Sequence, residues 1–237
     1  MQIAKEQVQR TCPEMDIIDE CLALDGRRIL ELGCGRAELT RAIATAGHDR
    51  QVLALEVDEV QHALHQQITD LDNVEFRLAG AEDIPADDNS VDVVFMFKSL
   101  HHVPEELMAK SFDEISRVLS PGGYAYISEP VFAGDFNEIL RLFHDEQYVR
   151  NAAFNAIRAA VDSGRFELAD ELFFNTPMHF ENFSDFEEKV IGATHTDHQL
   201  SAELQEQVSS SFEKHMADDG ANFVMPLRVD LLRKPFP

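Results

Sequence analysis

Basic residues are scarce: 20 Lys and Arg stand against 44 Asp and Glu, giving a formal net charge of −24. A field of that sign repels phosphate backbones and anionic lipid, which argues against a nucleic-acid or membrane-surface partner. Cysteine is scarce too. Cys12, Cys21 and Cys34 form no Cys-x-x-Cys pair, and an odd number of them does not build a disulfide framework. No apolar run approaches the ~20 residues that span a bilayer. The first ten residues carry charge and lack the apolar core of a secretion signal. Together these absences set the expectation of a cytoplasmic protein in a reducing compartment. Zinc-type spacings are also missing. The histidines include no His-Glu-x-x-His and no paired Cys/His pattern. His62 and His65, and His195 and His198, recur at i, i+3 without a carboxylate partner. They are read as surface residues, and no metal centre is expected.

What is present is material for a core: 44% of the 237 residues are hydrophobic, enough for one α/β domain spanning 1–237. Short apolar runs alternate with amphipathic stretches, and no internal repeat is visible. That pattern belongs to a parallel sheet with crossover helices. Strands are expected over 28–32, 51–57, 74–78, 91–97, 124–128, 172–180 and 223–232. Helices are expected over 13–24, with Thr11 as its cap, and over 38–46, 59–69, 104–119, 136–163, 184–192 and 202–216. The run Val91-Asp-Val-Val-Phe-Met-Phe97 is nearly all apolar, as a strand buried on both faces must be. The chain thus divides into a core over 27–129, a helical cap or insertion over 130–170, and closing strands and helices over 171–237.

The strongest local signal is Ile29-Leu-Glu31-Leu-Gly33-Cys34-Gly35-Arg-Ala37, a strand that runs through a glycine turn into a helix. Glycines there let the backbone bend sharply and let a ligand lie against the main chain. A dinucleotide fingerprint needs a third glycine three residues after Gly35, and that position is Glu38. An acid there opposes a pyrophosphate, so the expected ligand is a nucleoside without phosphates, and an NAD-dependent oxidoreductase is disfavoured. The second strand ends in Glu56, about twenty residues beyond the glycines, where a carboxylate can accept both ribose hydroxyl hydrogens.

Over 27–129 the chain resembles the class I S-adenosylmethionine-dependent methyltransferases, above all their small-molecule, ubiquinone-biosynthesis-like branch. Glu31-Leu-Gly33-Cys-Gly35-Arg-Ala37 is similar to that family's acidic-x-Gly-x-Gly-x-Gly loop, with Ala37 for the last glycine. Glu56 matches its ribose-binding acid. Ala81-Glu-Asp-Ile-Pro85, Asn89-Ser-Val-Asp92, Ser99-Leu-His101-His102-Val103 and Arg117-Val-Leu-Ser-Pro121-Gly-Gly123 resemble its later motifs, in order. The resemblance implies a Rossmann-like, doubly wound seven-stranded sheet with an antiparallel last strand, and S-adenosyl-L-methionine as cofactor. It implies that Gly33, Cys34 and Gly35 pass beneath the methionine and ribose. Glu31 would face the methionine amino group, Val57 would pack near the adenine, and Ala81 would offer the ring a backbone N–H. Where family members carry an Asp that accepts from the adenine amino group, this chain has Gly80. Glu82, Asp83 or a water would take its place. A lost charge-assisted hydrogen bond costs ~1.5–3 kcal/mol.

A sulfonium methyl is already an activated electrophile, so catalysis needs in-line placement of a nucleophile, and a base only for a protonated acceptor. Lys98, Ser99, His101 and His102 follow the fourth strand at the sheet's carboxyl edge, where such sheets place ligands. The segment lacks the Asn-Pro-Pro-aromatic pattern of nucleobase-amine methylation. With the acidic charge this points to a small-molecule substrate. His101, then His102, are the candidate bases. Lys98, Arg141 and His144 are the candidate substrate contacts; Arg141 and His144 share a helix face at i, i+3. A catalytically silent S-adenosylmethionine- or S-adenosylhomocysteine-binding protein of the same fold is the alternative. The oligomeric state is not legible.

Overall fold

A computed structural model describes residues 1–193 and 198–236 of the chain, so His195 and its spacing to His198 lie outside the described residues. Five strands run parallel: β1 (Arg28–Leu32), β2 (Gln51–Glu56), β3 (Val74–Leu78), β4 (Val91–Phe97) and β5 (Leu119–Pro130). Two long strands, β6 (Glu167–Phe180) and β8 (Gly220–Arg233), close the sheet, with a two-residue β7 (Met216–Ala217) on its margin. The order is β3-β2-β1-β4-β5-β8-β6, and β8 is antiparallel to both β5 and β6. The doubly wound sheet with an antiparallel last strand is therefore as expected, and β7, paired to β8, adds an eighth strand.

The burial of β1 and β4 explains their composition. Leu30 and Val94 are fully buried and Leu32 and Met96 nearly so, because helices cover both faces. On one face α4 (Glu105–Val118) and α6 (Gln147–Asp162) contribute Met108, Phe112, Ile115 and Ile157. On the other, α1 (Glu14–Cys21) and α2 (Glu38–Thr45) contribute Ile17, Ile18 and Ile43. The remaining α-helices are α3 (Glu59–His65), α5 (Asp135–Leu140), α7 (Phe183–Phe186) and α8 (Ala202–Phe212). A third, phenylalanine-rich core forms under the far end of the β6–β8 ribbon, where Phe136, Phe180, Phe186, Phe212 and Phe223 pack together.

Several boundaries differ from expectation for identifiable reasons. Thr11 does not cap α1: Pro13 holds the N-cap position, and Thr11 bridges to Asn175 of β6 because backbone groups of Arg10 and Cys12 are bonded to that strand. The helical stretch over 136–163 is two helices, α5 and α6, separated by a turn in which Asp145 accepts from the Gln147 amide. The glycine turn over 121–123 sits inside a longer β5 as an irregularity in its pairing with β4. Among the described residues no helix is long and apolar enough to cross a membrane.

Candidate functional site

The strand order reverses between β1 and β4, and such a switch point opens a crevice at the carboxyl ends of the strands. The chain leaves β1 through residues that alternate into the left-handed region: Gly33 (φ 75°), Gly35 (φ 50°) and Ala37 (φ 60°). The Gly33 and Cys34 amides both donate to the Leu55 carbonyl, at 2.9 and 3.0 Å, which holds the turn against β2. A Cβ on Gly33 would lie 2.8 Å from the Cβ of Ser99, so the loops after β1 and β4 touch there. A Cβ on Gly35 would meet nothing within 4 Å; the space above it is open.

Glu56 organises the neighbouring edge. Its carboxylate accepts from the amides of Gly35 (2.7 Å), Val57 (2.8 Å) and Asp58 (3.0 Å). Asp58 in turn caps α3 by accepting from the Val60 amide at 2.8 Å. Beside this edge lies a cavity of about 600 Å³, within the range typical of small-ligand sites. Gly33, Gly35, Glu56, Val57, Ala81, Glu82, Lys98 and His102 all line it, with Leu32, Met96, Phe97 and Leu107 supplying apolar wall. Three carboxylates, of Glu56, Asp58 and Glu82, face it against one lysine. That balance is hostile to a pyrophosphate and suits hydroxyl and amino donors.

Two residues expected at the cofactor stand behind the cavity wall. Glu31 is buried and accepts from the Thr40 hydroxyl at 2.6 Å; burial pushes its carboxyl up to about 8. Cys34 is buried with its thiol raised by burial, and its Sγ lies 4.0 Å from His65 Nδ1. His65 corrects the expectation of a surface residue. It is 2% exposed, its Nε2 is bonded to the Gly35 carbonyl at 2.7 Å, and its ring stacks on Phe76. Sequence spacing paired it with His62, whereas its real partner is the glycine turn.

The space beside Gly80 is taken by a carboxylate. A Cβ placed there would run into the Glu82 carboxylate, so that carboxylate fills the space an Asp side chain at 80 would take. Lys98, itself at φ 53°, reaches across to α1 and donates to Glu14 at 3.1 Å. Glu14 is 6% exposed, and its second oxygen has no hydrogen-bond partner among the described residues.

The two histidines after β4 have different places. His102 lines the cavity. His101 is buried behind it, the two ring centroids 4.1 Å apart. His101 Nδ1 lies 2.5 Å from Glu129 at the end of β5, and its Nε2 lies 3.5 Å from Glu146 at the start of α6. Burial alone would lower the pKa of this imidazole. The charge and hydrogen bond of Glu129, with help from Glu146, instead raise it to about 9. Glu129 and Glu146 stay below the usual carboxylate range: burial opposes this, and His101 outweighs it. Glu129 and Glu146 carried no signal in the sequence that would tie them to His101. Arg141 and His144 do not line the cavity. Arg141 lies over the Phe132 ring and near Glu138 and Asp145, and His144 Nε2 is 3.0 Å from Glu146.

The crevice at the switch point, with its glycine turn and facing carboxylates, is the candidate ligand site of this Rossmann-like sheet. Comparison with known proteins agrees. Residues 29–123 match the family described as a methyltransferase domain. The chain is 36% identical over 108 residues to an uncharacterised methyltransferase of Mycobacterium tuberculosis, a match covering 46% of this chain and 42% of that one. It is 37% identical over 105 residues to a demethylmenaquinone methyltransferase of Clavibacter sepedonicus, covering 44% and 41%. The matches thus span less than half the length of either relative. The YcgJ protein of Bacillus subtilis shares the fold, with a TM-score of 0.63 at 18% identity over 94% of this chain and 98% of that one. Over residues 29–123 the chain is thus similar to methyltransferase domains.

Proposed function

We propose that this protein transfers a methyl group from S-adenosylmethionine to a small-molecule acceptor. The observation that carries the reading is the Glu56 carboxylate, tied to the Gly35 amide at the edge of an acid-lined cavity over an open glycine turn. The cofactor, when bound, supplies a sulfonium methyl that needs no further activation. Glu56 would accept from the ribose hydroxyls, and Gly33 and Gly35 would lie beneath the sugar and methionine. Val57 would pack on the adenine, with the Ala81 amide and the Glu82 carboxylate meeting the ring's polar edge. Glu31, one residue ahead of the cavity-lining Leu32, would answer the methionine ammonium, directly or through a water.

The acceptor side is built from Lys98 and His102. An imidazolium held between two carboxylates does not take up a further proton, so His101 is a positioning residue rather than the base. His102, on the cavity wall, is the imidazole placed to receive a proton from an acceptor hydroxyl, thiol or ammonium. The name of the menaquinone-pathway relative supports a small organic acceptor, as does the negative charge, which disfavours nucleic acid. Ala37 takes the left-handed conformation a glycine would take, and Glu82 stands in over Gly80. Both departures from the family pattern therefore have local substitutes, which weighs against the catalytically silent alternative. Incubation with methyl-labelled cofactor and pooled small-molecule extracts should transfer label to a low-molecular-weight product. Cofactor binding with no label transfer to any pool would favour the silent reading.

A further inference from the structure

Among the described residues that line the cavity, Lys98 is the one Lys or Arg, against the carboxylates of Glu56, Asp58 and Glu82. Its charge is already engaged. Nζ donates to Glu14 Oε2 at 3.1 Å, from the loop after β4 to the first residue of α1. The backbone under Lys98 is set for this reach. Its amide donates to the Ser128 carbonyl at 2.8 Å, and its φ of 53° is one that a non-glycine residue keeps only where the surroundings enforce it.

Glu14 is placed unlike most acids at a helix start. Such acids face the helix dipole from the solvent side, whereas Glu14 is buried. One carboxylate oxygen meets Lys98. The other, Oε1, is buried with no hydrogen-bond partner among the described residues. The Tyr126 hydroxyl on β5 is buried and unpartnered as well, and after burial the Glu14 charge is the next cause that raises its pKa. Lys98 is therefore the one printed hydrogen-bond and ion-pair partner of a carboxylate held in low-dielectric surroundings. Drawing Lys98 away would strand that carboxylate as an uncompensated buried charge, which is strongly unfavourable.

A tie between α1 and the loop after β4 is the simpler account of the pair. It leaves unexplained why the partner is a buried acid with one oxygen unbonded, set so that it cancels the cavity's cation. The consequence falls on the ligands. An anionic acceptor could take Lys98 only by stranding Glu14, and it would still face Glu56, Asp58 and Glu82. Such an arrangement selects by rejecting the wrong charge.

We propose that Glu14 is a specificity-determining residue: by locking the Lys98 ammonium it closes the acceptor side to carboxylates, phosphates and sulfates, so that the acceptor is an uncharged or cationic molecule. The inference rests on the methyl-transfer reading and narrows its acceptor.

Two measurements on the full-length protein test it. The first is a bromide soak of ligand-free crystals, read by anomalous scattering. The parent should show no bromide at Lys98 Nζ, and Glu14→Gln, nearly the same shape without the charge, should show one. Bromide at Lys98 in the parent overturns the lock, and its absence from both proteins overturns the role of Glu14. The second measurement uses methyl-labelled cofactor with pooled small-molecule extracts, the products being parted on an anion exchanger at pH 7. Label from the parent should run through unretained. Glu14→Gln should raise the retained share at least about tenfold, and Glu14→Asp, which draws the carboxylate back from Lys98, should act in the same direction more weakly. Mainly retained label from the parent overturns the proposal. A merely structural tie would lower Tm and move neither the bromide nor the product distribution. No label from any protein would count against methyl transfer, while the bromide result still decides whether Glu14 locks Lys98.

Discussion

Replacing Glu56 with alanine removes the one carboxylate that links the glycine turn to the end of β2. In the protein it accepts three backbone amides, from Gly35, Val57 and Asp58. In the complex it would also accept two ribose hydroxyls. Hydrogen bonds to a charged group contribute about 1.5–3 kcal/mol each, so the two ribose bonds together amount to about 3 kcal/mol at the low end. That corresponds to roughly a hundred-fold in affinity. Water entering the vacated space recovers part of this, and the expected loss is at least about tenfold. The three amides lie at the cavity edge, where water can reach them, so the variant should fold with a modestly lowered Tm. Glu56→Gln keeps an acceptor without the charge and should fall between the two. The assay is calorimetry with S-adenosylhomocysteine, paired with circular dichroism. A folded Glu56→Ala protein that binds within about twofold of the parent refutes the ribose assignment.

Gly33→Ala forces an L side chain into a left-handed conformation and drives its Cβ to 2.8 Å from Ser99, whereas Gly35→Ala meets no neighbour. Left-handed alanine costs roughly 1–2 kcal/mol at either position, so the added Ser99 clash should make Gly33→Ala the less stable of the two by chemical denaturation. Loss of cofactor affinity should instead be the main effect of Gly35→Ala. Glu82→Ala should weaken S-adenosylhomocysteine binding by about tenfold, and adding Gly80→Asp to it should restore most of that. No rescue would mean that Glu82 does not stand in for the missing acid. Glu31 has its carboxyl raised by burial to about 8 from an ordinary 4.5, so the native state holds a proton that the unfolded chain releases. Stability from this group is present below the unfolded value and falls as pH rises through that interval, by up to about 1.4 kcal/mol per pH unit. Glu31→Gln should therefore flatten the decline of ligand-free stability between about pH 5 and pH 8, and an unchanged pH profile by thermal unfolding would contradict it.

Strands β1 and β4 were legible in the sequence to the residue, because strands buried on both faces read as apolar runs bounded by polar turns. The order of motifs likewise named residues that the fold brings together: Gly33, Gly35, Glu56, Val57, Ala81 and Glu82 line one cavity. Other features depend on contacts that no local pattern encodes. His65 looked like half of a surface pair, yet it pins the Gly35 carbonyl from a helix 30 residues on. His101 looked like a base until Glu129, 28 residues away, and Glu146 closed on it from two other elements. Thr11 had the chemistry of a cap, but backbone bonding to Asn175 of β6 drew it elsewhere. Periodicity reports which face of an element is buried, not which distant partner buries it.

The account rests on where a nucleoside lies, and a crystal structure with S-adenosylhomocysteine tests this directly. The expected map has the sugar hydroxyls on Glu56, the backbone of Gly33 and Gly35 beneath the ligand, and the adenine edge against Ala81 and Glu82. A ligand bound away from that turn, or a turn that takes up the pyrophosphate of NAD in its place, would contradict it.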